Sequence, residues 1–155
     1  MTPAIVLARK QGVTHCLHEY GHDSASESYG TEAAEKLGLD PDRVFKTLVV
    51  ELDSSELVVG VVPVSAMLSM KLIARAAAGK KAVMADRQKV QGTTGYVLGG
   101  VSPLGQKKSL KTIIDDSARA FDTVFVSAGR RGLEIELAPA DLAALTGAVF
   151  AHIRS

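Results

Sequence analysis

The chain has 155 residues, 46% of them apolar and 23% charged, which fits one soluble globular domain over residues 1–155. Eighteen Lys and Arg against seventeen Asp and Glu leave a net charge of +1, too little for a protein that coats a long nucleic-acid backbone, though enough for one that handles an RNA end or a small anion. No apolar run reaches the roughly 18–20 residues of a membrane span, the opening ten residues lack a signal-peptide pattern, and the one cysteine, Cys16, has no internal partner, so a reducing cytoplasm is expected.

Thr2-Pro3 reads as a helix cap followed by proline in the first turn, with Gly12 at the helix end. Residues 13–20 read as a strand, 21–30 as a polar loop, and 32–37 as a short helix capped by Thr31 and ended by Gly38. The β-branched runs 45–52 and 57–62 flank Asp53-Ser54-Ser55 and predict a hairpin. Ser69 can cap a helix over 70–78 closed by Gly79; a short strand over 82–84 follows, and Asp86 can cap a helical turn. Residues 92–105 hold five of the fourteen glycines and Pro103, the composition of a specialised loop or bent strand. Strands are expected at 112–115, 123–127 and 133–137, then a helix between Pro139 and Gly147 and a closing strand at 149–153. The sum is α+β, with a mixed, mostly antiparallel, barrel-like sheet surrounded by short helices.

Two features carry chemistry. The loop over 95–108 places Gly99-Gly100 where backbone groups can approach a ligand, adds the Ser102 hydroxyl and the stiff Pro103, and ends in Lys107-Lys108. It has no Walker spacing, and a bulged turn without a ligand remains open. Lys46 sits in an apolar strand, where alternation gives it a face shared with Leu48 and Val50. Such a lysine either snorkels at the strand end or points into a polar cavity. Tyr20, ending the first strand, suits a pocket wall. Cys16 and His18 share that strand's face, a poor geometry for a nucleophile and base. His15 and His18 point to opposite faces and no further His or Cys cluster completes a tetrahedral site, so no metal and no cofactor are expected. The hairpin from Ser127 through Gly129, Arg130 and Arg131 is either a solvated turn or a phosphate-holding rim, with Glu134 able to orient an arginine.

The sequence resembles the YbaK/EbsC family of aminoacyl-tRNA deacylases, related to the editing domain of bacterial prolyl-tRNA synthetases. The likeness runs nearly end to end: Thr2-Pro3-Ala4, His18-x-Tyr20-x-His22-Asp23, Val44-Phe45-Lys46-Thr47-Leu48, Thr94-Gly95-Tyr96, the stretch GGVSPLGQKK over 99–108, and RGLEIEL over 131–137. The Lys-Thr pair followed at this separation by Gly-Gly-Val-Ser-Pro is its most specific part. The resemblance implies a pocket between Lys46 and the Gly-rich loop. Lys46, Gly99 and Gly100 would serve catalysis, while Tyr20, Tyr29, Thr47, Ser102, Pro103, Ser127, Gly129, Arg131 and Glu134 would bind substrate. Tyr29 stands where the family often has Phe, Ala128 where a second Gly is common, and Glu134 where Asp is frequent.

The implied activity is release of cysteine from mischarged Cys-tRNA(Pro) and from Cys-tRNA(Cys). The substrate's own thiol attacks its ester and forms a thiolactone, with oxyanion support from the Gly99 and Gly100 N–H groups and with Lys46 at the adenosine phosphate or the leaving oxygen. The implied partners are the acceptor ends of tRNA(Pro) and tRNA(Cys), and prolyl-tRNA synthetase, without membrane or metal. Two alternatives stay open: a water-using hydrolase of Ala-tRNA(Pro) or another small aminoacyl-tRNA, and a non-catalytic module that binds tRNA or a synthetase.

Overall fold

A computed structural model describes residues 1–23 and 29–155. Thr2 opens helix α1 (Pro3–Gln11) by accepting the Ile5 N–H at 3.3 Å, and Gly12 closes it in the left-handed conformation. Strand β1 (His15–Glu19) is shorter than the expected 13–20. Of the polar loop expected over 21–30, residues 24–28 lie outside the described residues, and Tyr29 and Gly30 belong to helix α2 (Tyr29–Leu37). Thr31 therefore lies inside that helix rather than capping it, whereas Gly38 ends it at φ +65° as expected.

The hairpin β2 (Phe45–Leu52) and β3 (Leu57–Pro63) matches the sequence reading. Helix α3 (Met70–Ala76) is capped by Ser69 but ends early. Its left-handed residue is Ala78, not Gly79, and a Cβ at Gly79 would meet the Leu52 side chain at 3.1 Å. Strand β4 (Ala82–Met84) and helix α4 (Arg87–Thr94), capped by Asp86, follow. Helix α4 runs through Gly92, so the Gly-rich segment is a loop that begins at Gly95. The remaining elements are β5 (Lys111–Asp115), a 3-10 turn (Asp116–Ala120) not foreseen from the sequence, β6 (Val124–Arg130), β7 (Leu133–Leu137), α5 (Pro139–Thr146) and β8 (Val149–Ala151).

The strands make a three-stranded antiparallel sheet, β1-β7-β6, and a five-stranded mixed sheet, β4-β2-β3-β5-β8, in which β3-β5 and β5-β8 are parallel. The α+β class and the predominance of antiparallel pairing hold. The barrel-like closure expected from the sequence does not: among the described residues the two sheets meet through one parallel bridge, Val44 to Phe125.

Strands β2 and β3 are covered on both faces, which explains their near-continuous apolar runs. Phe45, Val49, Val59 and Val61 pack against α1, β6, β7 and α5, while Val50, Val58 and Val62 pack against Ile73 and Ala74 of α3. Gly60 lets that helix come close, since a Cβ there would lie 2.8 Å from Ile73 Cδ1.

Candidate active site

The site is built where the sheets fail to close. Strand β4 pairs with β2 at Val50, Glu51 and Leu52, and among the described residues β6 makes one backbone bridge next to β2, between Phe125 and Val44 just before β2 begins. The stretch of β2 between those points borders a cavity of about 380 Å³. Phe45, Lys46, Thr47 and Leu48 form one wall, Ser127 and Glu134 from β6 and β7 the opposite one, and Leu98, Gly99 and Val101 of the Gly-rich loop a third. Tyr20 and Gly30 complete the lining. An antiparallel ladder bonds alternate residues of β2 to β3, so the backbone groups of Phe45 and Thr47 turn away from β3.

Several polar groups here are partly or wholly removed from water, and among the described residues Lys46 and Glu134 gain no ion-pair partner. Burial lowers the Lys46 pKa, and among the described residues no carboxylate pairs with its amine. Glu134 is 6% exposed, and burial pushes its carboxyl up to about 8. At neutral pH the empty site therefore holds mostly the protonated acid. Tyr20 is raised by burial first and then by the nearby Glu134 carboxyl. The Thr47 hydroxyl is buried with no hydrogen-bond partner. A buried hydroxyl without a partner costs roughly 1–3 kcal/mol, a cost that a bound ligand can remove.

The aminoacyl-tRNA editing domain family model matches residues 25–145. The chain belongs to that family. A curated Enterococcus faecalis protein named "Putative Cys-tRNA(Pro)/Cys-tRNA(Cys) deacylase EbsC" is 42% identical over 120 residues, 77% of this chain and 73% of that one. The Bacillus subtilis protein "Uncharacterized protein YwhH" is 32% identical over 111 residues, 72% and 70% of the two chains. A solved structure described as a "putative trans-editing enzyme for prolyl tRNA synthetase" shares the fold, with TM-score 0.81 and 24% identity over 100% of this chain and 99% of that one.

In this editing domain the structure sorts the residues singled out from sequence into two groups. Lys46, Thr47, Tyr20, Ser127, Gly99 and Glu134 come together around the cavity. Gly100, Ser102, Pro103, Gly129 and Arg131 do not line it. The Gly100 N–H donates to Val97 O at 3.0 Å, so the oxyanion role expected for it is taken by an internal turn. Ser102 is fully buried, and its Oγ accepts the Leu104 N–H at 3.2 Å. Pro103 lines a separate, smaller cavity with Leu7 and Leu145 on the far side of the loop. Gly129, at φ +107°, sits in the β6 bulge under the Tyr96 ring, where a Cβ would come within 2.7 Å of the ring. Arg131 Nη2 donates to Leu98 O at 2.8 Å and ties the β6–β7 turn to the loop. Tyr29 heads α2, and its side chain lies outside the described residues.

Among the described residues no arginine forms a salt bridge with Glu134: Arg130 reaches Glu19 at 3.4 Å, and Glu134 faces the cavity. Cys16 is exposed on β1, and His18 bonds Glu136 at 2.9 Å, away from a nucleophile–base arrangement. Phe45, Leu48, Leu98 and Val101 line the cavity without having been singled out. Apolar residues in an apolar strand or loop carry no sequence mark that separates cavity wall from core. No helix among the described residues is long and apolar enough to cross a membrane.

Proposed function

We propose that residues 1–155 act in the cytoplasm as one trans-acting editing domain that removes cysteine from mischarged Cys-tRNA(Pro) and from Cys-tRNA(Cys). The observation that carries this reading is the pairing of Lys46 and Glu134 across one cavity, each desolvated and neither holding an ion-pair partner among the described residues. A cysteinyl ester brings an α-ammonium group for Glu134, which then gives up its proton, and an ester carbonyl with a ribose oxygen for Lys46.

The mechanism follows from what the wall offers. Among the described residues it presents no Ser-His-Asp set, and its polar groups suit holding and polarising a substrate. Cysteine carries its own nucleophile: a free thiol with pKa about 8.5 is a few per cent thiolate at pH 7. The sulfur attacks the ester carbonyl, an S–C bond forms, and the C–O bond to the ribose breaks. The products are a cyclic thiolactone and a tRNA hydroxyl, and the thiol's proton ends on that hydroxyl. Lys46, its pKa lowered by burial, is suited to pass that proton to the leaving oxygen. The Gly99 N–H is the backbone donor nearest the role of oxyanion support. Holding sulfur against carbonyl supplies the rest, since orientation alone can be worth several kcal/mol. The resemblance to the prolyl-tRNA synthetase editing domain and the name of the Enterococcus relative support both the tRNA substrates and docking on that synthetase.

Deacylation of a panel of charged tRNAs tests the proposal. Cys-tRNA(Pro) and Cys-tRNA(Cys) should be cleared, while Ser-tRNA(Pro) and Ala-tRNA(Pro) survive, because oxygen and methyl cannot replace the thiol. Equal release of serine and cysteine would exclude self-attack by sulfur, and preferential release of alanine would point to a water-using hydrolase.

A further inference from the structure

The net charge of +1 is an average over two very unequal parts. Residues 71–111 contain nine of the eighteen Lys and Arg residues and one carboxylate, Asp86, whereas the rest of the chain has nine basic and sixteen acidic residues. This segment is α3, β4, α4 and the Gly-rich loop, the crossover that carries the chain from β3 to β5.

The fold brings Lys80, Lys81 and Lys111 to the hairpin end of the five-stranded sheet, with Lys107 and Lys108 a few residues before Lys111. The Asp53 carboxylate in the β2–β3 turn accepts the backbone N–H groups of Lys80 and Lys81 at 3.0 and 3.1 Å. Lys111 pairs in register with Val58 at the start of β3, and its ammonium donates to Ala77 O at 3.3 Å. The N–H groups of Lys107 and Lys108 bond Thr94 O and Thr93 O at the end of α4. Lys71, Lys80, Lys81, Lys107, Lys108 and Lys111 are all exposed. Among the described residues, Lys89 is the one cation of this segment held in a salt bridge, to Glu51 at 2.6 Å.

The same segment supplies Leu98, Gly99 and Val101 to the cavity wall. Along β2, Lys46 and Leu52 are six residues apart, about 20 Å of strand. A ligand that leaves the cavity and passes over the exposed β4 residues Val83 and Met84 therefore reaches Lys80 and Lys81, whose charge Asp53 offsets only in part. We propose that this face, centred on Lys80, Lys81 and Lys108, docks the phosphate backbone of an RNA whose 3′ end occupies the cavity. The inference rests on the proposed aminoacyl-tRNA substrate. A polyanion fits the face because the exposed Lys80, Lys81, Lys107, Lys108 and Lys111 outnumber the carboxylates of Asp53, Glu56 and Asp86 nearest to them in the turn and at the cap of α4, and the acidic remainder of the molecule repels RNA and so orients its approach.

Two substrates separate docking from chemistry: full-length Cys-tRNA and the cysteinyl ester of adenosine, which has no phosphate. In the double variant Lys80→Glu, Lys81→Glu, kcat/KM on Cys-tRNA should fall at least about tenfold at low salt, and the slope of log kcat/KM against log salt should flatten by about 2, roughly 1 per lost phosphate contact. Turnover of the adenosine ester should stay at the wild-type level. Lys108→Glu should act in the same direction, Lys80→Gln with Lys81→Gln should give a weaker version without charge reversal, and Lys10→Glu on α1 should leave both substrates unaffected. Unchanged tRNA kinetics and salt slope, or equal loss on both substrates, would overturn the proposal. Filter binding of uncharged tRNA judges the face independently of catalysis: if wild type cleaves neither ester, the proposed activity fails, yet loss of tRNA affinity in the double variant still supports the docking surface. Unaltered tRNA binding with lost affinity for prolyl-tRNA synthetase would make the face a protein interface and overturn it.

Discussion

Lys46 and Glu134 reach the cavity wall from different strands, Lys46 half-buried and Glu134 buried, and among the described residues neither has an opposite charge as partner. A residue that contributes little to stability in that position is retained at the expense of the fold, so its removal should cost activity more than stability. Lys46→Ala is expected to abolish deacylation while leaving the thermal midpoint within a degree or two of wild type, by calorimetry beside the activity assay. Glu134 makes a pH-dependent claim. Its folded pKa of about 8 lies above the ordinary 4.5, so between those values the folded protein binds more protons than the unfolded chain, and stability falls as pH rises. Glu134→Gln should remove that dependence. Its urea unfolding free energy should match wild type near pH 4.5 and exceed it by on the order of 4 kcal/mol at pH 8. A constant difference across that range would mean Glu134 is ionised in the fold. Lysine in an apolar strand was visible in the sequence as an anomaly. The isolation of Glu134 was not, because L-E-I-E-L alternation suggests outward-facing carboxylates, whereas β7 has β1 and β6 on either side and turns Glu134 into the cavity.

At the scale of elements, the Gly-rich loop divides between wall and scaffold. Gly99 faces the cavity, whereas its neighbours hold the loop in place: Tyr96 donates its hydroxyl to Leu104 O at 2.6 Å, Ser102 Oγ accepts Leu104 N–H, and Gly105 packs on the start of α1. Gly100 lies against the β6–β7 turn, where a Cβ would meet Arg130 Cα at 2.9 Å and Arg131 N at 3.2 Å. Those are backbone atoms and cannot rotate aside. Gly100→Ala should therefore destabilise by about 1–3 kcal/mol and displace Gly99, lowering kcat more than a stability loss alone would. Wild-type activity and stability in this variant would show that the loop tolerates the shift. Helix starts were legible because the signals are local: Thr2, Ser69 and Asp86 each accept an N–H three residues on. Which loop residues face a ligand was not legible, since a segment without a repeat gives no period from which to assign inside and outside.

For the whole molecule, closure depends on the C-terminal residues. Asp115, fully buried at the end of β5, accepts N–H groups from Ile153 and Arg154 at 3.0 and 3.1 Å and the Arg154 guanidinium at 2.5 Å. Ser69 N and Ser155 N bond back to Ile153 O and Met67 O, so the chain end is stitched to the start of α3. Burial pushes the Asp115 carboxyl up, and its hydrogen bonds with Ser117, Ile153 and Arg154 more than offset that, holding it below the ordinary carboxylate range. The stability it contributes is present above that ordinary value and lost as pH falls through the lowered one. Asp115→Asn should cost on the order of 2–4 kcal/mol at pH 7, with the gap from wild type narrowing in acid, as read by urea denaturation. An undiminished gap at pH 3 would place the loss in packing and not in charge. The sequence by itself determined most of the helices and strands, the caps at Thr2, Ser69 and Asp86, the β2–β3 hairpin and the anomalous lysine, because each depends on neighbours a few residues away. Tertiary structure alone decided that, among the described residues, β6 makes one backbone bridge next to β2, so that the gap between the two sheets is a cavity and not a closed barrel. It also decided that Lys80, Lys81 and Lys111 come together at the hairpin end of the five-stranded sheet. Both outcomes depend on how distant strands and crossovers pack, which no local pattern encodes.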